Sequence, residues 1–411
     1  MFDHDLSGAR DVASPSSQFK PSFAPPAGRG ADHKKTSAAP TLPEDRRGPA
    51  ILDTLPGKQP LIRLSQWPPN YETPIQYLDA AITPNDAFFV RCNLPELPRV
   101  DARAWRLCVG GDGANGQAEL TLDQLRRLPA AEVVAVCQCS GNRRSLFEPP
   151  VEGVQWGHGA MGCARFKGAR LKDVLATVGL KTDAVEILLQ GGDKCPAGQT
   201  ADFVKSLPVW KAVEDTTLIA YEMNGEPLPL LHGFPARVIV PGWTATYWVK
   251  HVTGIAAATR PCDGYWMRST YRVPRGRFPA ARFPSQERAT DAPVTDVMVN
   301  SLITRPLPGT SARIGATVTV AGIAWDGGCG IRRLEVSTDG GEAWRDAELG
   351  EDFGRFAARP WRCAFTPWQP AHQVIMARAT NMAGQRQTAE LIFNPAGYLH
   401  NAIATVTLAV T

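Results

Sequence analysis

Apolar and polar positions alternate in short runs along most of the chain, and few runs carry a helical period. Residues 133–136 are β-branched or small and apolar, which predicts a strand. It stops at Ser140, Gly141 and Asn142, which are turn residues. Residues 88–94 predict a second strand, closed by Pro95, with Arg91 at its end. Residues 104–109 and 185–190 predict two more. Residues 120–128 space their leucines for a helix with Thr121 as N-cap, and residues 169–178 predict another, stopped at Gly179. Asn224-Gly225 marks a tight turn.

The texture changes near residue 293. Short alternating runs at 317–325, 331–336, 339–344, 371–380 and 387–393 are broken by Gly and Asp turns, which predicts a β-sandwich of immunoglobulin-like class. Trp325, Trp344, Trp361 and Trp368 read as core or interface residues. The Pro-rich stretch 272–284 reads as a linker. Residues 1–50, rich in Pro, Ala, Ser, Gly and charge, read as a disordered or extended arm. The expected domains are 1–50, 51–288 and 289–411.

With 411 residues the chain can build two or three cores, and a net charge of +4 favours an anionic ligand. No basic run with interleaved aromatics points to nucleic acid. No run of about 18 apolar residues predicts a membrane span. The nine cysteines contain no Cys-x-x-Cys pair, so neither a zinc site nor a thioredoxin motif is expected. The N-terminus lacks an apolar leader core, which suggests a cytoplasmic protein or a start other than that of an exported precursor.

The chemistry gathers at Cys137, Cys139, Arg143 and Arg144. A thiolate at a strand end beside guanidinium groups suits a soft metal next to an oxyanion pocket. The same residues also fit a buried free thiol and a solvated arginine pair. The glycines after Trp156 would let the backbone approach a bulky ligand. Asp193 fits a heterocycle's N–H groups or a turn. His232, Arg237 and Lys250 lie in a Gly- and Pro-shaped stretch that suits a phosphate, and no Walker glycine loop accompanies them.

Together, the stretches 139–144, 156–162, 223–229 and 232–237 with Lys250 resemble the sulfite oxidase family of molybdopterin enzymes, from about residue 55 to the C-terminus. The resemblance implies an α+β fold: a sulfite-oxidase-type molybdopterin-binding domain followed by the immunoglobulin-like sandwich, which serves dimerisation in many relatives. It implies Mo-molybdopterin as cofactor and Cys139 as the protein's ligand to molybdenum. Phe89, Val90, Arg91, Cys92, Asn93, Asp193, His232, Arg237, Trp248, Val249 and Lys250 would contact the pterin and its phosphate. Arg91, Arg144, Trp156 and Tyr271 would form the substrate pocket. Cys137 is expected to face away from Cys139 and is not assigned to the metal.

The implied reaction is oxidation of sulfite to sulfate. With no haem motif in the chain, electrons would pass to a separate c-type cytochrome, as in bacterial sulfite dehydrogenases. That acceptor implies the periplasm. A homodimer and a heterodimer with a cytochrome subunit both stay open. The chain departs from the family at Asn93, where many members carry His, and at Ala396, where the animal enzymes carry Arg. The rival readings are a nitrate reductase-like oxotransferase, disfavoured by Tyr271, and a metal-free binding protein on the same fold.

Overall fold

The computed structural model describes residues 50–195, 200–278 and 283–411; the arm expected over 1–50 lies almost wholly outside them. Strands dominate. Among the described residues no α-helix is longer than the six residues of Leu122–Arg127 and Leu171–Ala176. Thr121 caps the first of these in a reciprocal capping box with Gln124. Gly179 closes the second region at φ 66°, a backbone conformation that suits glycine.

Four sheets make up the part before residue 300. The strands Leu52–Asp53, Leu61–Ser65, Asn70–Glu72 and Val90–Arg91 form an antiparallel meander. A five-stranded sheet runs Val204–Pro208, Glu186–Gly191, Val252–Ala258, Arg106–Gly110, Ala118–Thr121, with one parallel pair in its centre. A third sheet joins Glu226–Pro227, Leu218–Met223, Met161–Arg170 and Ala130–Gln138. Asn224 and Gly225 turn its hairpin, both at positive φ. The expected linker is instead partly a strand: Arg272–Pro274 pairs with Asp291–Pro293. Val273, Phe278 and Val294 bury there in a small apolar cluster, which a solvated linker would not do.

The glycines after Trp156 serve protein packing. An added Cβ at Gly162 would lie 2.5 Å from the Phe88 ring, and one at Gly159 would lie 1.8 Å from Thr73 O. At Gly159 and Gly162 the expected approach to a ligand is therefore corrected to a close approach of the chain to the segments at Thr73 and Phe88.

After residue 300, two sheets face each other. One is Asn300–Arg305, Val318–Trp325, Arg359–Phe365 and Glu348–Leu349; the other is Ser311–Ala312, Ala404–Val410, Ala371–Asn381, Ile331–Ser337 and Arg345–Asp346. Ile303, Val320 and Trp361 from the first meet Leu334, Ile375 and Leu408 from the second in one core. Two of the expected strands are absent. Residues 339–344 form a turn held by Asp339, and residues 387–393 form no strand. The sheet is completed by Ala404–Val410, whose buried and open positions alternate strictly. Trp325 and Trp361 are buried as expected, whereas Trp368 is 79% exposed. A further cluster binds the two parts of the chain, with Val134, Val136, Met161 and Cys163 packed on Leu302, Ile323 and Trp325.

Candidate active site

The strand Ala130–Gln138 carries the chain to Cys139, where the ladder ends and the backbone turns. Asn142 Oδ1 accepts from Ala160 N at 3.0 Å and Cys139 N donates to Ala160 O at 2.9 Å. The thiol is thereby aimed into a cleft lined by Phe88, Phe89, Arg91, Asn93, Cys137, Asp193, His232, Arg237, Trp248, Lys250 and Tyr271. These residues come from five separated stretches of sequence.

Cys137 is a correction. Residues i and i+2 of a strand share a face, so the thiol of Cys137 opens on the same cleft as that of Cys139. Arg237 Nη2 reaches its Sγ at 3.9 Å. Burial pushes the Cys137 thiol up to about 11, against the pull of Arg237. It is a neutral part of the wall.

The same alternation sorts residues 89 to 93. Phe89, Arg91 and Asn93 face the cleft, while Val90 and Cys92 pack with Leu61 and Tyr71. Val249 is likewise buried away from it, between the lining residues Trp248 and Lys250. Of the expected pterin contacts, the structure therefore does not bring the side chains of Val90, Cys92 and Val249 to the cleft.

One end of the cleft is cationic. Arg237 is buried; its Nη2 donates to Trp248 O at 3.1 Å, and its Nε has no hydrogen-bond partner among the described residues. Lys250 Nζ donates to Leu231 O at 3.2 Å and to the Cys92 thiol at 3.3 Å. Lys58, which sequence reasoning missed, is buried against the same end. Its Nζ donates to Asn85 O at 2.5 Å and Phe88 O at 3.0 Å, and it meets Nε2 of His232. Three acceptors around one nitrogen suit an ammonium, although burial lowers its pKa to about 7. Burial, then Lys58, Arg237 and Lys250, hold His232 well below the usual histidine range, so its imidazole is neutral. Asp193 is the carboxylate in the lining, and burial raises its pKa against the pull of Lys250.

The other end holds Arg91, Asn93 and Tyr271. Arg91 Nη1 donates to Asn70 Oδ1 at 3.0 Å and to Cys92 O at 2.5 Å. Desolvation works against the Arg91 charge, but the Tyr271 phenol and the thiols of Cys139 and Cys92 outweigh it and raise its pKa. Tyr271 donates its hydroxyl to Asn93 Oδ1 at 3.0 Å. Its backbone is left-handed, φ 56°, which only surrounding structure can hold in place for a tyrosine.

The two arginines after the turn do not flank Cys139 as expected. Arg143, left-handed at φ 66°, turns its guanidinium to Asn300 Oδ1 at 2.7 Å and Ser301 O at 2.6 Å. Arg144 donates to Ala396 O at 3.1 and 3.2 Å and to Val154 O at 3.1 Å, and lies over the Tyr398 ring. Gly141 and Gly153 make room for it, since an added Cβ would stand 2.6 and 2.9 Å from its guanidinium. Trp156 is fully buried with its ring edge-to-face on Phe89. Neither Arg144 nor Trp156 is among the residues that line the cleft: Trp156 packs on the lining residue Phe89, and Arg144 on Tyr398, whose ring stacks on the lining residue Tyr271. Ser140, Phe203, Leu231, Ala245 and Thr246 line it without having been expected.

Two family models match the chain: an oxidoreductase molybdopterin binding domain over residues 94–266 and a Mo-co oxidoreductase dimerisation domain over residues 291–410. Mitochondrial sulfite oxidase of Rattus norvegicus is 35% identical over 382 residues, which cover 88% of this chain and 68% of the rat protein. Sulfite oxidase of Gallus gallus is 37% identical over 329 residues, 76% of this chain and 68% of the relative. An NADH nitrate reductase of Hordeum vulgare is 30% identical over 387 residues, 86% of this chain and 40% of the barley enzyme. Among solved structures, the sulfane dehydrogenase SoxCD of Paracoccus pantotrophus has the same fold, with a TM-score of 0.72, 24% identity and 96% of each chain covered. Cys139, Asp193, His232, Arg237, Trp248 and Lys250 of the cleft lie within the matched molybdopterin-binding sequence, whereas Lys58, Phe88, Phe89, Arg91, Asn93 and Tyr271 lie outside it. The chain belongs to the sulfite oxidase family of molybdopterin enzymes, oxidoreductases that act on sulfur donors.

Proposed function

We propose that this chain oxidises sulfite to sulfate at a molybdenum ion held by Cys139 and a molybdopterin, and passes the electrons to a separate c-type cytochrome. The observation that carries the reading is the meeting of Cys139, Arg91 and Tyr271 at one cleft. The residues present fit the cofactor. Among the described residues Arg237, Lys250 and Lys58 outnumber the carboxylate of Asp193 at the cationic end, and Arg237 Nε and Thr246 Oγ1 of the lining lack hydrogen-bond partners. A buried excess of cations with spare hydrogen-bonding atoms suits an anionic phosphate and a polar ring.

In this assignment Cys139 ligates the metal, and Asp193, His232, Arg237, Trp248 and Lys250 hold the pterin and its phosphate. When bound, the cofactor supplies oxygen-atom transfer and a two-electron sink. The chain supplies the rest. Arg91 neutralises and orients the incoming oxyanion. Tyr271 offers its hydroxyl, released from Asn93, to an oxygen of that anion. Asn93 stands where a titratable histidine is common in the family, so it orients the phenol without changing charge near neutrality. The neutral Cys137 thiol and the buried rings of Phe88 and Phe89 exclude water from the metal's side of the cleft.

The reading carries domain limits of 51–288 and 289–411 and an immunoglobulin-like class for the sandwich, supported by its two facing sheets. It also carries a periplasmic setting, in keeping with the cytochrome acceptor, and a dimer formed through the sandwich, in keeping with the matched dimerisation model. The test is a steady-state assay with sulfite and with nitrate, using cytochrome c or ferricyanide for sulfite and a reduced viologen for nitrate. Sulfite-dependent reduction of cytochrome c is expected. Turnover of nitrate alone would overturn the reading.

A further inference from the structure

Lys205 lies in the strand Val204–Pro208 and is completely buried. Its Nζ donates to Trp266 O at 2.7 Å and sits 4.8 Å from the centre of the Tyr247 ring and 5.1 Å from that of Tyr271. Among the described residues no carboxylate forms an ion pair with it. The buried Glu186, which attracts it from a distance, is taken up by the Ser285 hydroxyl, the Gln286 amide and the Cys262 N–H. One carbonyl and two ring faces around a single nitrogen are three places for N–H donors and no donor toward it, which is an ammonium's environment. A charged lysine buried without a counter-ion is costly, and packing does not require it.

What it touches explains it. Tyr271 opens on the cleft, its ring stacks on Tyr398 with centres 5.7 Å apart and planes 18° apart, and Arg144 lies 5.1 Å over Tyr398. The stacked pair therefore has a cation at each end. The left-handed backbone at Tyr271 leaves its ring to be placed by such packing.

We infer that Lys205 is a positioning residue for the anion site: its ammonium, packed on the Tyr271 ring, fixes the phenol at the cleft and makes its hydroxyl a stronger donor to a bound oxyanion. The inference rests on the reading of Tyr271 as a substrate contact. A cation on a phenol ring in a dry surrounding draws electron density from the O–H, and its field reaches the cleft with little screening. Burial brings the pKa of Lys205 down to about 7; Cys262 and Glu186 hold its proton on and Arg272 pushes it off, with the Tyr247 and Tyr271 phenols as the other titratable neighbours. As pH rises through about 7 the ammonium is lost, and oxyanion affinity falls with it.

The test uses the metal-loaded protein with Lys205→Met, which keeps the shape without the charge, and Lys205→Arg, which keeps the charge at every working pH. Three quantities are read between pH 6 and 9: sulfite KM, kcat, and sulfate affinity by calorimetry without turnover. Lys205→Met should raise KM about tenfold and weaken sulfate about tenfold, with kcat within about twofold. Lys205→Arg should stay near the wild type at low pH. The ratio of wild-type KM to that of Lys205→Arg should climb through neutrality, which removes the titration of sulfite itself. In a Tyr271→Phe background Lys205→Met should add less than about twofold.

Unchanged KM and sulfate affinity in Lys205→Met would overturn the inference, as would full additivity with Tyr271→Phe. Should Lys205→Met fail to fold, a KM ratio for Lys205→Arg that is flat with pH would overturn it equally. Sulfate that binds and sulfite that turns over in the wild type, with no effect of Lys205, remove Lys205 alone. A wild type that does neither removes the reading of the site, and the role of Lys205 with it.

Discussion

The cleft and the C-terminal sandwich handle charge in opposite ways. On the sandwich, arginines pair with carboxylates across neighbouring strands: Arg362 with Glu348 at 2.8 Å, Arg378 with Glu335 at 3.0 Å, and Arg333 with Asp346. Most of these lie in solvent, where a pair contributes about 0–1 kcal/mol. Around the cleft, Lys58, Arg237 and Lys205 are buried without a carboxylate at hydrogen-bond range among the described residues. Such placement opposes folding. The difference separates residues kept for stability from residues kept for a ligand.

The largest effect that would break this contrast comes from the thiol. Cys139→Ala should lower sulfite turnover by more than about a thousandfold, while thermal unfolding of the metal-free protein stays within a few degrees of the wild type. Cys137→Ala should keep most of the activity, because its neutral thiol only fills wall space beside Arg237. Equal loss in both variants would make Cys137 more than wall. On the sandwich, Trp361→Ala should reverse the pattern. Trp361 is 2% exposed in the core, and its loss should cost about 3–5 kcal/mol by urea unfolding, with turnover per folded molecule unchanged.

A smaller effect should follow from Arg237→Met. The metal-free protein should gain about 1 kcal/mol, since an uncompensated buried charge is removed, while molybdenum content after purification falls at least tenfold by elemental analysis. Destabilisation of the metal-free protein would contradict the contrast. Arg91→Met should raise sulfite KM more than Arg144→Met, because the first lines the cleft and the second clamps Ala396 and Val154.

The smallest effect concerns pH. Burial holds His251 and His400 at about 3, and His232 well below its usual range. In the unfolded chain each takes up a proton below about pH 6.5. Between that value and about 3 the unfolded state binds more protons, so stability falls as pH falls. Urea midpoints should drop steadily across this window, and His400→Gln should lessen the slope.

Much of the site was legible. Turn residues after an apolar strand located Cys139, and the spacing of Phe89, Arg91 and Asn93 already contained the face that lines the cleft. Thr121 and Asn224-Gly225 worked as local signals because caps and tight turns are decided within a few residues. The direction of Arg143 and Arg144 was not legible, since the left-handed turn at Arg143 redirects both and their partners lie at 300, 301 and 396. Lys58 carried no motif; only the fold brings it to His232. Lys205, a lysine inside the apolar run 203–207, was a signal that could have been followed. The strand at Ala404–Val410 was equally visible in its alternation, whereas residues 387–393, with similar composition, find no partner strand among the described residues.

Molybdenum K-edge X-ray absorption on the metal-loaded protein and its Cys139→Ser variant tests the central claim most directly. The variant should show one sulfur fewer around the metal than the wild type. An unchanged sulfur count would mean that Cys139 does not hold the molybdenum.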